Sequence, residues 1–516
     1  MSANLITKPS DLAFSYYCTW QTQNFGRPSA IKETNPEAFI GGDGAEKARD
    51  FLNEKHMTEQ KGLLSQYDAV RGDLYFVLDD GWDVAYGVHP ATQMEQFGSL
   101  EVAEDRFPSC TGNPAERLKS LNDLVKKAGW RGLGIWVSAQ AKGESGSHLL
   151  DRKKSDAYWK ERLRWSQYAG VAYWKVDWGA RQEDIAWRKH LDELRAEIYP
   201  ELVIEHCLPI APGNNVVLEN GRQVSSGRFS EWWNIPQRSA DILMQGTQVF
   251  RTYDVLPQFS QVSTMDRIAV LLQEAPQSPA ILNCEDEAYI GAAMGCSIGV
   301  MRSSLNKELP VYDFDPQRLS HKTTEIRRAV RWQYLAPPFP IQEAKTYVSR
   351  ETVVSRHYFG SAETWMSDYI HKEVMQTSPS WVSRGMSLER IVYDGNRPLL
   401  AASRHPNGAV AVAALSYLSP SGRYETPLCT LTLPDVAPGA PVGIFGYFQG
   451  VEIAYTAAIE GKRIYAQDLA EDRAEDITAC VRTEGNRLFI SGEILNRIGM
   501  AAQSDESDPG LVVCLK

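Results

Sequence analysis

The hydrophobic pattern of the first two thirds of the chain alternates between two periods. Short runs that are apolar at nearly every position recur, and segments with helical spacing of apolar residues separate them. Consecutive apolar positions are typical of parallel strands that are buried on both faces. Eight such runs are predicted as strands: Phe14–Trp20, Leu74–Leu78, Gly132–Val137, Val171–Val176, Leu202–Glu205, Thr247–Tyr253, Pro279–Asn283 and Ser297–Met301.

The segments between these runs predict helices. Ala115–Gly129 is the clearest, because its leucines and valine fall on one face and a glycine ends the pattern. Helical patterns also flank the fourth strand, at Ser155–Tyr168 and Arg181–Ile198. Strands that alternate with helices of this length indicate parallel β-α units, and eight units predict a closed (β/α)8 barrel, that is, a TIM barrel.

The pattern changes after the proline-rich segment Ala336–Pro340. Short runs with strand alternation follow it between turn signals such as Asn407-Gly408, which is typical of a β-hairpin. The clearest of these runs are Ala409–Leu415, Leu428–Leu433, Val442–Phe448 and Arg487–Ile490. The sequence therefore predicts a barrel domain at residues 1–340 and a C-terminal antiparallel β-sandwich domain at residues 341–516. The segment Leu208–Gln245, before the sixth strand, is expected to pack over the mouth of the barrel.

Composition and charge exclude some classes of partner. The formal net charge of −11 argues against nucleic acid, which is bound by basic patches. Eight scattered cysteines without a CxxC pair fit neither a zinc site nor a disulfide scaffold, so most are expected to be reduced and buried. No signal peptide and no membrane span are visible, which predicts a cytoplasmic protein without a membrane partner. We expect no metal or other cofactor, and a homo-oligomer is left open.

The strand ends carry most of the polar residues that are candidates for chemistry. The carboxyl ends of barrel strands meet at one face, so these residues are expected to form one cup. Carboxylates and cations hold sugar hydroxyls, and glycoside chemistry needs two carboxylates on opposite faces of the anomeric carbon. We therefore predict a carbohydrate site. Its candidates, in chain order, are Cys18, Asp79–Asp83, Trp136, Lys175, Asp177, Glu205, Arg251, Asp254, Glu285 and Asp286.

Each motif also has an interpretation without catalysis. Asp177 is placed to cap the helix that follows it, and Asp79–Trp82 is compatible with a plain turn. Arg251 and Asp254 are compatible with a structural ion pair. Glu205–Cys207 resembles a metal or Cys/His site, but adjacent strand residues point to opposite faces, which disfavours that interpretation.

Four motifs, taken in order, resemble those of a known group of enzymes. They are Leu78–Trp82 (LDDGW), Gly132–Trp136 (GLGIW), Trp174–Asp177 (WKVD) and Arg251–Asp254 (RTYD). Together they resemble the retaining α-galactosidase clan of glycoside hydrolases, which includes β-L-arabinopyranosidases. The resemblance covers about residues 12–305. It implies a (β/α)8 barrel with a C-terminal β-sandwich, and an exo-glycosidase that acts on galacto-configured sugars.

The resemblance implies a role for each matching residue. Asp177 would be the nucleophile and Asp254 the general acid/base; Asp79 and Asp80 would hold O4 and O6, Lys175 an O3/O4 pair, and Arg251 with Glu205 the O2 side; Trp82 and Trp136 would form the apolar wall.

The chain departs from the clan's pattern in ways that leave alternatives open. Arg251 and Asp254 are one residue closer than usual, and Asp241 and Asp286 are the alternatives for the acid/base. Trp178 follows the nucleophile where many members have a smaller residue. A transglycosylase of raffinose-synthase type and a carbohydrate-binding protein without turnover remain alternative functions.

Overall fold

The first domain is a closed barrel of eight parallel strands. The computed structural model describes residues 4–7, 13–25, 48–207, 216–226, 237–252, 260–304, 318–358, 371–502 and 504–516. All eight predicted strands are present and pair in a ring in the order β1-β2-β3-β4-β5-β8-β9-β10. They are β1 (Tyr16–Cys18), β2 (Tyr75–Leu78), β3 (Gly132–Val137), β4 (Tyr173–Val176) and β5 (Val203–His206), then, after a hairpin of β6 (Val216–Glu219) and β7 (Arg222–Ser226), β8 (Val249–Arg251), β9 (Ile281–Glu285) and β10 (Ser297–Val300).

Helices connect the barrel strands, and local sequence fixes where they begin. Before Pro114, the Asn113 side chain accepts from the Glu116 amide while the Glu116 carboxylate accepts from the Asn113 amide. This reciprocal cap satisfies two amides that a helix start would otherwise leave unpaired. The helices are α1 (Trp20–Phe25), α2 (Glu54–Thr58), α3 (Pro90–Gln93), α4 (Pro114–Lys127), α5 (Arg152–Ala169), α6 (Ile185–Ile198), α7 (Gln237–Met244), α8 (Ser260–Glu274), α9 (Ala288–Met294), α10 (Thr324–Trp332) and, in the second domain, α11 (Gly492–Gly499).

Alternate residues of the strands point into the barrel and outward to the helices. The interior of the barrel is filled by Tyr16, Tyr75 and Tyr173 with valines from neighbouring strands. At β5 the alternation separates two polar neighbours. Glu205 lies against the interior tyrosines, whereas His206 lies 3.0 Å from Asp192 of the outer helix α6. The prediction that these two side chains face opposite sides is confirmed.

Two facing sheets form the core of the second domain, which confirms the predicted β-sandwich, and β18 and β19 form a separate two-stranded sheet. One sheet has the order β11-β14-β16-β17-β21-β27-β23-β24, and the other β15-β20-β22-β26-β25. Neighbouring strands are antiparallel except for three pairs, β14/β16, β17/β21 and β20/β22, which are parallel. The strands are β11 (Thr346–Val348), β12 (Thr352–Tyr358), β13 (Lys372–Pro379), β14 (Trp381–Arg384), β15 (Ile391–Tyr393), β16 (Leu399–Arg404), β17 (Val410–Leu415), β18 (Tyr417–Leu418), β19 (Tyr424–Glu425), β20 (Cys429–Val436), β21 (Val442–Phe445), β22 (Gly450–Tyr455), β23 (Ile464–Asp468), β24 (Glu475–Asp476), β25 (Arg482–Glu484), β26 (Arg487–Ser491) and β27 (Gly510–Leu515).

One small sheet joins strands from both sides of residue 340. The hairpin β6–β7 comes from the connection between barrel strands β5 and β8, and β6 pairs with β13 of the C-terminal region. The resulting order is β12-β13-β6-β7. The rest of the predicted mouth segment, residues 208–215 and 227–236, lies outside the described residues. The boundary between residues 340 and 341 stays a prediction.

The two domains share a closely packed interface around α9. Gly295, at the end of this helix, has φ +64°, and a Cβ there would lie 2.2 Å from the Phe339 ring. Within the last turn of the same helix, the Ala293 carbonyl accepts a hydrogen bond of 2.6 Å from the Ser403 hydroxyl of the sandwich. Deeper in the interface, Arg328 and Asp468 form an ion pair with no exposed side-chain surface. The small residues of α9 therefore allow a sheet as well as the barrel to approach the helix.

The described residues include all eight cysteines and the helices named above. All eight cysteines are free thiols, and six of them are buried, which confirms the prediction for most of them. None of the described helices is both long and apolar enough to cross a bilayer.

Candidate active site

A buried ion pair lies at the centre of the cup. Lys175, on β4, is 2.6 Å from Asp79, which directly follows β2. The Cys18 thiol donates to the same carboxylate oxygen at 2.9 Å, and the Asp80 amide donates to the other at 2.8 Å. Burial by itself would raise the pKa of Asp79, but the Lys175 ammonium and these hydrogen bonds hold it below its ordinary value. The carboxylate is therefore charged at neutral pH.

A second ion pair lies beside the first and involves a residue that the sequence analysis missed. Both Nε and Nη2 of Arg49 donate to Oδ2 of Asp80, at 2.8 and 2.7 Å. Burial raises the pKa of Asp80 above its ordinary value, and Arg49 opposes that shift. Gly81 makes this contact possible, since a Cβ there would lie 2.9 Å from the Arg49 Cα. No strand-end pattern marks Arg49, because it lies in a helical turn at residues 48–51 between strands.

Asp177 follows β4 and is oriented by a tryptophan. Trp136 Nε1, from the end of β3, donates to its Oδ2 at 3.0 Å, and Asp177 itself is only half-buried. Behind it, Arg188 donates to the Asp177 carbonyl at 2.7 Å and fixes the backbone. The Asp177 carboxylate is thus fixed in direction by Trp136 and still partly exposed at the mouth of the barrel.

Aromatic rings form a wall next to Asp177. Trp136 and Trp178 lie with ring centroids 5.2 Å apart, and Trp178 contacts Phe97 at 5.0 Å. Trp82 was predicted to belong to this wall. It is fully buried in the adjoining core, and its Nε1 donates to the Trp136 carbonyl at 2.8 Å, so that it supports Trp136 from behind.

Glu205 and Arg251 lie deeper and are already engaged. Tyr16 and Tyr173 donate to the two Glu205 oxygens at 2.9 and 2.7 Å, and the Asn283 amide donates as well. Arg251 forms an ion pair with Glu285 and contacts Cys207 Sγ at 3.1 Å. Counted together with Glu205 and Arg251 themselves, these groups lie on or directly after five barrel strands, β1, β4, β5, β8 and β9, and tie the strands together. Their contact with a sugar O2 stays a prediction.

The three candidates for the acid/base differ in what the structure says of them. Asp254 lies outside the described residues. Asp241 lies on α7, the helix that precedes β8. Asp286 accepts from the amides of Met301 and Arg302 and pairs with the Arg302 guanidinium at 3.2 Å. One Asp286 oxygen is therefore engaged by Arg302 and by the two amides, and the assignment of Asp254 as the acid/base stays a prediction.

Asp83, the last residue of the Asp79–Asp83 motif, is a further buried carboxyl group, and the sequence analysis assigned it no particular role. Burial raises its pKa to about 7, the hydrogen bonds from Leu100 and Ser99 lower it in part, and Asp80 raises it. The folded protein therefore holds this proton up to about pH 7, whereas the unfolded chain releases it near pH 4. Folding stability due to this group is lost as the pH rises through that window.

We therefore expect Asp83→Asn, which resembles the protonated acid, to remove this loss. Its free energy of unfolding should exceed that of the wild type by up to about 4 kcal/mol at pH 8. Near pH 4 the two proteins should differ little, and urea unfolding at both pH values measures the difference. An advantage of the variant that is the same at both pH values would show that Asp83 titrates normally.

Comparison with known proteins finds distant structural similarity only. No protein-family profile and no curated protein sequence matches the chain. A solved β-L-arabinopyranosidase from Geobacillus stearothermophilus is 12% identical with a TM-score of 0.41, covering 98% of this chain and 97% of that chain. An α-galactosidase from Saccharomyces cerevisiae is 11% identical with a TM-score of 0.35, covering 92% and 86%. At these identities and scores, the function has to be inferred from the site itself.

The fold and the site define one class of protein. It is a (β/α)8-barrel protein with a C-terminal β-sandwich, and its strand ends form a cup of paired carboxylates and cations beside a tryptophan wall. Among the described residues, no group of three or more His, Cys, Asp or Glu side chains is arranged to hold a metal ion.

Proposed function

We propose that the protein is a retaining exo-glycosidase that removes a terminal α-D-galactosyl residue or a related galacto-configured residue such as β-L-arabinopyranosyl. The observation that supports this most is the environment of Asp177. A half-buried carboxylate, oriented by Trp136 Nε1 at 3.0 Å, lies at a barrel strand end two residues from the Lys175–Asp79 pair. A nucleophile next to groups that bind hydroxyls is what double displacement at a sugar requires.

The reaction would run in two steps. Asp177 attacks the anomeric carbon as the bond to the leaving oxygen breaks, and a general acid protonates that oxygen. A glycosyl ester with inverted configuration forms on Asp177. The residue that acted as general acid now acts as general base and deprotonates a water molecule. This water attacks the anomeric carbon and releases the sugar with its original configuration. Asp254 is our candidate for the acid/base.

The ion pairs account for binding of the sugar. Asp79 and Lys175 are buried, charged and in contact, so each holds the other in place with free capacity for further hydrogen bonds. An ammonium has three donors and a carboxylate about four acceptor positions, which suits a pair of vicinal hydroxyls. The half-buried ring of Trp178, which packs against the buried Trp136, would provide the apolar surface beside them.

The proposal is tested with four nitrophenyl glycosides: α-galactoside, β-L-arabinopyranoside, α-N-acetylgalactosaminide and α-glucoside. We expect activity on one of the first two, and proton NMR should show that the first sugar released keeps the substrate's anomeric configuration. Transfer of the sugar to an added acceptor in place of release would identify a transglycosylase. First release of the opposite anomer would contradict double displacement. Binding of free sugar without turnover of any glycoside would identify a binding protein.

A further inference from the structure

Arg49 lies at the mouth of the barrel, although it belongs to no barrel strand. Its Cα is packed over Gly81, and the Arg106 guanidinium donates to its carbonyl at 2.7 Å. The Arg49 guanidinium lies 5.3 Å from the centroid of Phe97 and 5.7 Å from that of Trp178. Trp178 contacts Trp136, whose Nε1 is bonded to Asp177. Arg49 is therefore separated from the candidate nucleophile by two aromatic rings.

The pair formed by Arg49 and Asp80 is incomplete. Two donors of Arg49 converge on one oxygen of Asp80. Nη1 of the arginine and Oδ1 of the aspartate therefore take no part in the pair. Both atoms are buried and have no hydrogen-bond partner in the part of the chain that the structure describes. The residues are 4% and 1% exposed. A buried polar atom without a partner destabilises a protein, so its presence indicates a ligand or water that completes it.

The missing partner must both accept and donate. Nη1 of Arg49 can only donate, and ionised Asp80 can only accept. Hydroxyl groups do both, whereas a carboxylate on the ligand would leave Asp80 without a donor. The charge around the cup points the same way, because among the residues that the structure describes its carboxylates outnumber its cations: Asp79, Asp80, Asp177, Glu205 and Glu285 against Arg49, Lys175 and Arg251. A neutral pyranose fits this cup, and a uronic acid is repelled.

We propose that Arg49 is a specificity-determining residue of the sugar site. Its Nη1 donates to a hydroxyl oxygen of the bound pyranose, and Asp80 Oδ1 accepts from a hydroxyl of the same sugar. This inference rests on the proposed function and adds to it a contact outside the four motifs. The stacking of Arg49 on Trp178 and Phe97 holds the guanidinium in place before the sugar arrives, so little side-chain freedom is lost on binding.

The test combines Arg49→Met with substrates that lack one hydroxyl. Methionine keeps much of the apolar stem but has no donor. For the parent aryl glycoside we expect kcat/KM to fall by a factor of about 30 to 100. For either the 4-deoxy or the 6-deoxy analogue, the wild type should already have a low kcat/KM. With that analogue, Arg49→Met should lower kcat/KM by less than about threefold further. A direct contact produces this coupling, whereas a structural role lowers kcat/KM equally for all substrates.

Two further variants distinguish a hydrogen bond between Arg49 and the sugar from an effect of its charge and from an effect on folding. Arg49→Lys keeps a positive charge beside Asp80 but not the planar fork, so it should restore only part of the lost kcat/KM. Arg162→Met is the matched control, because Arg162 is also buried and stacked, 3.6 Å from the Tyr158 centroid, on the outer helix α5. It should leave the ratio between parent and deoxy substrates unchanged.

The outcomes distinguish this inference from the proposed function. Equal losses on parent and deoxy substrates in Arg49→Met would overturn the role of Arg49 and leave the glycosidase intact. If the wild type cleaves no glycoside, calorimetry with D-galactose and its 4-deoxy and 6-deoxy forms replaces kinetics. Binding of galactose that is weakened by Arg49→Met would then support the contact without the enzyme, and no binding of any of these sugars would overturn both.

Discussion

Replacing Asp177 with Asn lowers kcat for the preferred aryl glycoside by a factor on the order of 10³ or more. The amide has the same size and can still contact Trp136, so the pocket keeps its shape, but an amide cannot form the glycosyl ester. The rate of formation of the glycosyl ester should fall, and this loss should appear in kcat, whereas KM should change little. Steady-state kinetics with a nitrophenyl glycoside measures it, with circular dichroism as the check of folding.

Two controls make this result specific. Asp123→Asn changes an exposed aspartate on α4 in the same way and should leave kcat unchanged. Azide added to Asp177→Gly should restore turnover by entering the vacated space, and the product should be a glycosyl azide of inverted configuration. Activity that survives in Asp177→Asn would contradict the assignment of the nucleophile and move it to another carboxylate of the cup.

The second large effect is on stability. Lys175→Met leaves the Asp79 carboxylate buried without its cation, and we expect the free energy of unfolding to fall by about 3–5 kcal/mol at pH 8. Burial then raises the pKa of Asp79, so that the carboxyl takes up a proton as the pH falls. The deficit should therefore be smaller at pH 5 than at pH 8, and urea unfolding at both values measures this.

The double variant Asp79→Asn/Lys175→Met separates stability from function. Removing both charges should recover most of the lost stability, since an unpaired buried charge causes most of the loss. It should not recover hydrolysis, because the hydroxyl-binding groups are gone. The matched control is Lys119→Met, which breaks an exposed pair and should change the free energy of unfolding far less, because water screens that pair. A loss in Lys175→Met no larger than that would show that the central pair is solvated.

The barrel was predictable because its signal is local and repeated. Each buried strand is apolar at successive positions, and eight such strands with helices between them bury both faces when the sheet closes into a barrel. The sandwich was predictable from a different local signal, which is the alternation of apolar and polar positions between turn residues. The pairing of β6 with β13 was not, since the two strands are more than 140 residues apart in sequence and neither carries a mark of its partner. The three parallel pairs in the sandwich were missed for the same reason.

The candidate site shows the same division. The sequence by itself determined that Asp79, Lys175 and Asp177 lie at strand ends on the same face of the barrel, because the strand pattern fixes which residue each strand ends on. Only the tertiary structure decided which partners those groups have. Arg49 reaches Asp80 from a turn that no period marks, Arg302 holds Asp286, and the barrel tyrosines hold Glu205. Periodicity specifies the strand or helix on which a residue lies and the face to which it points. An ion pair depends in addition on distances between segments that are remote in the chain.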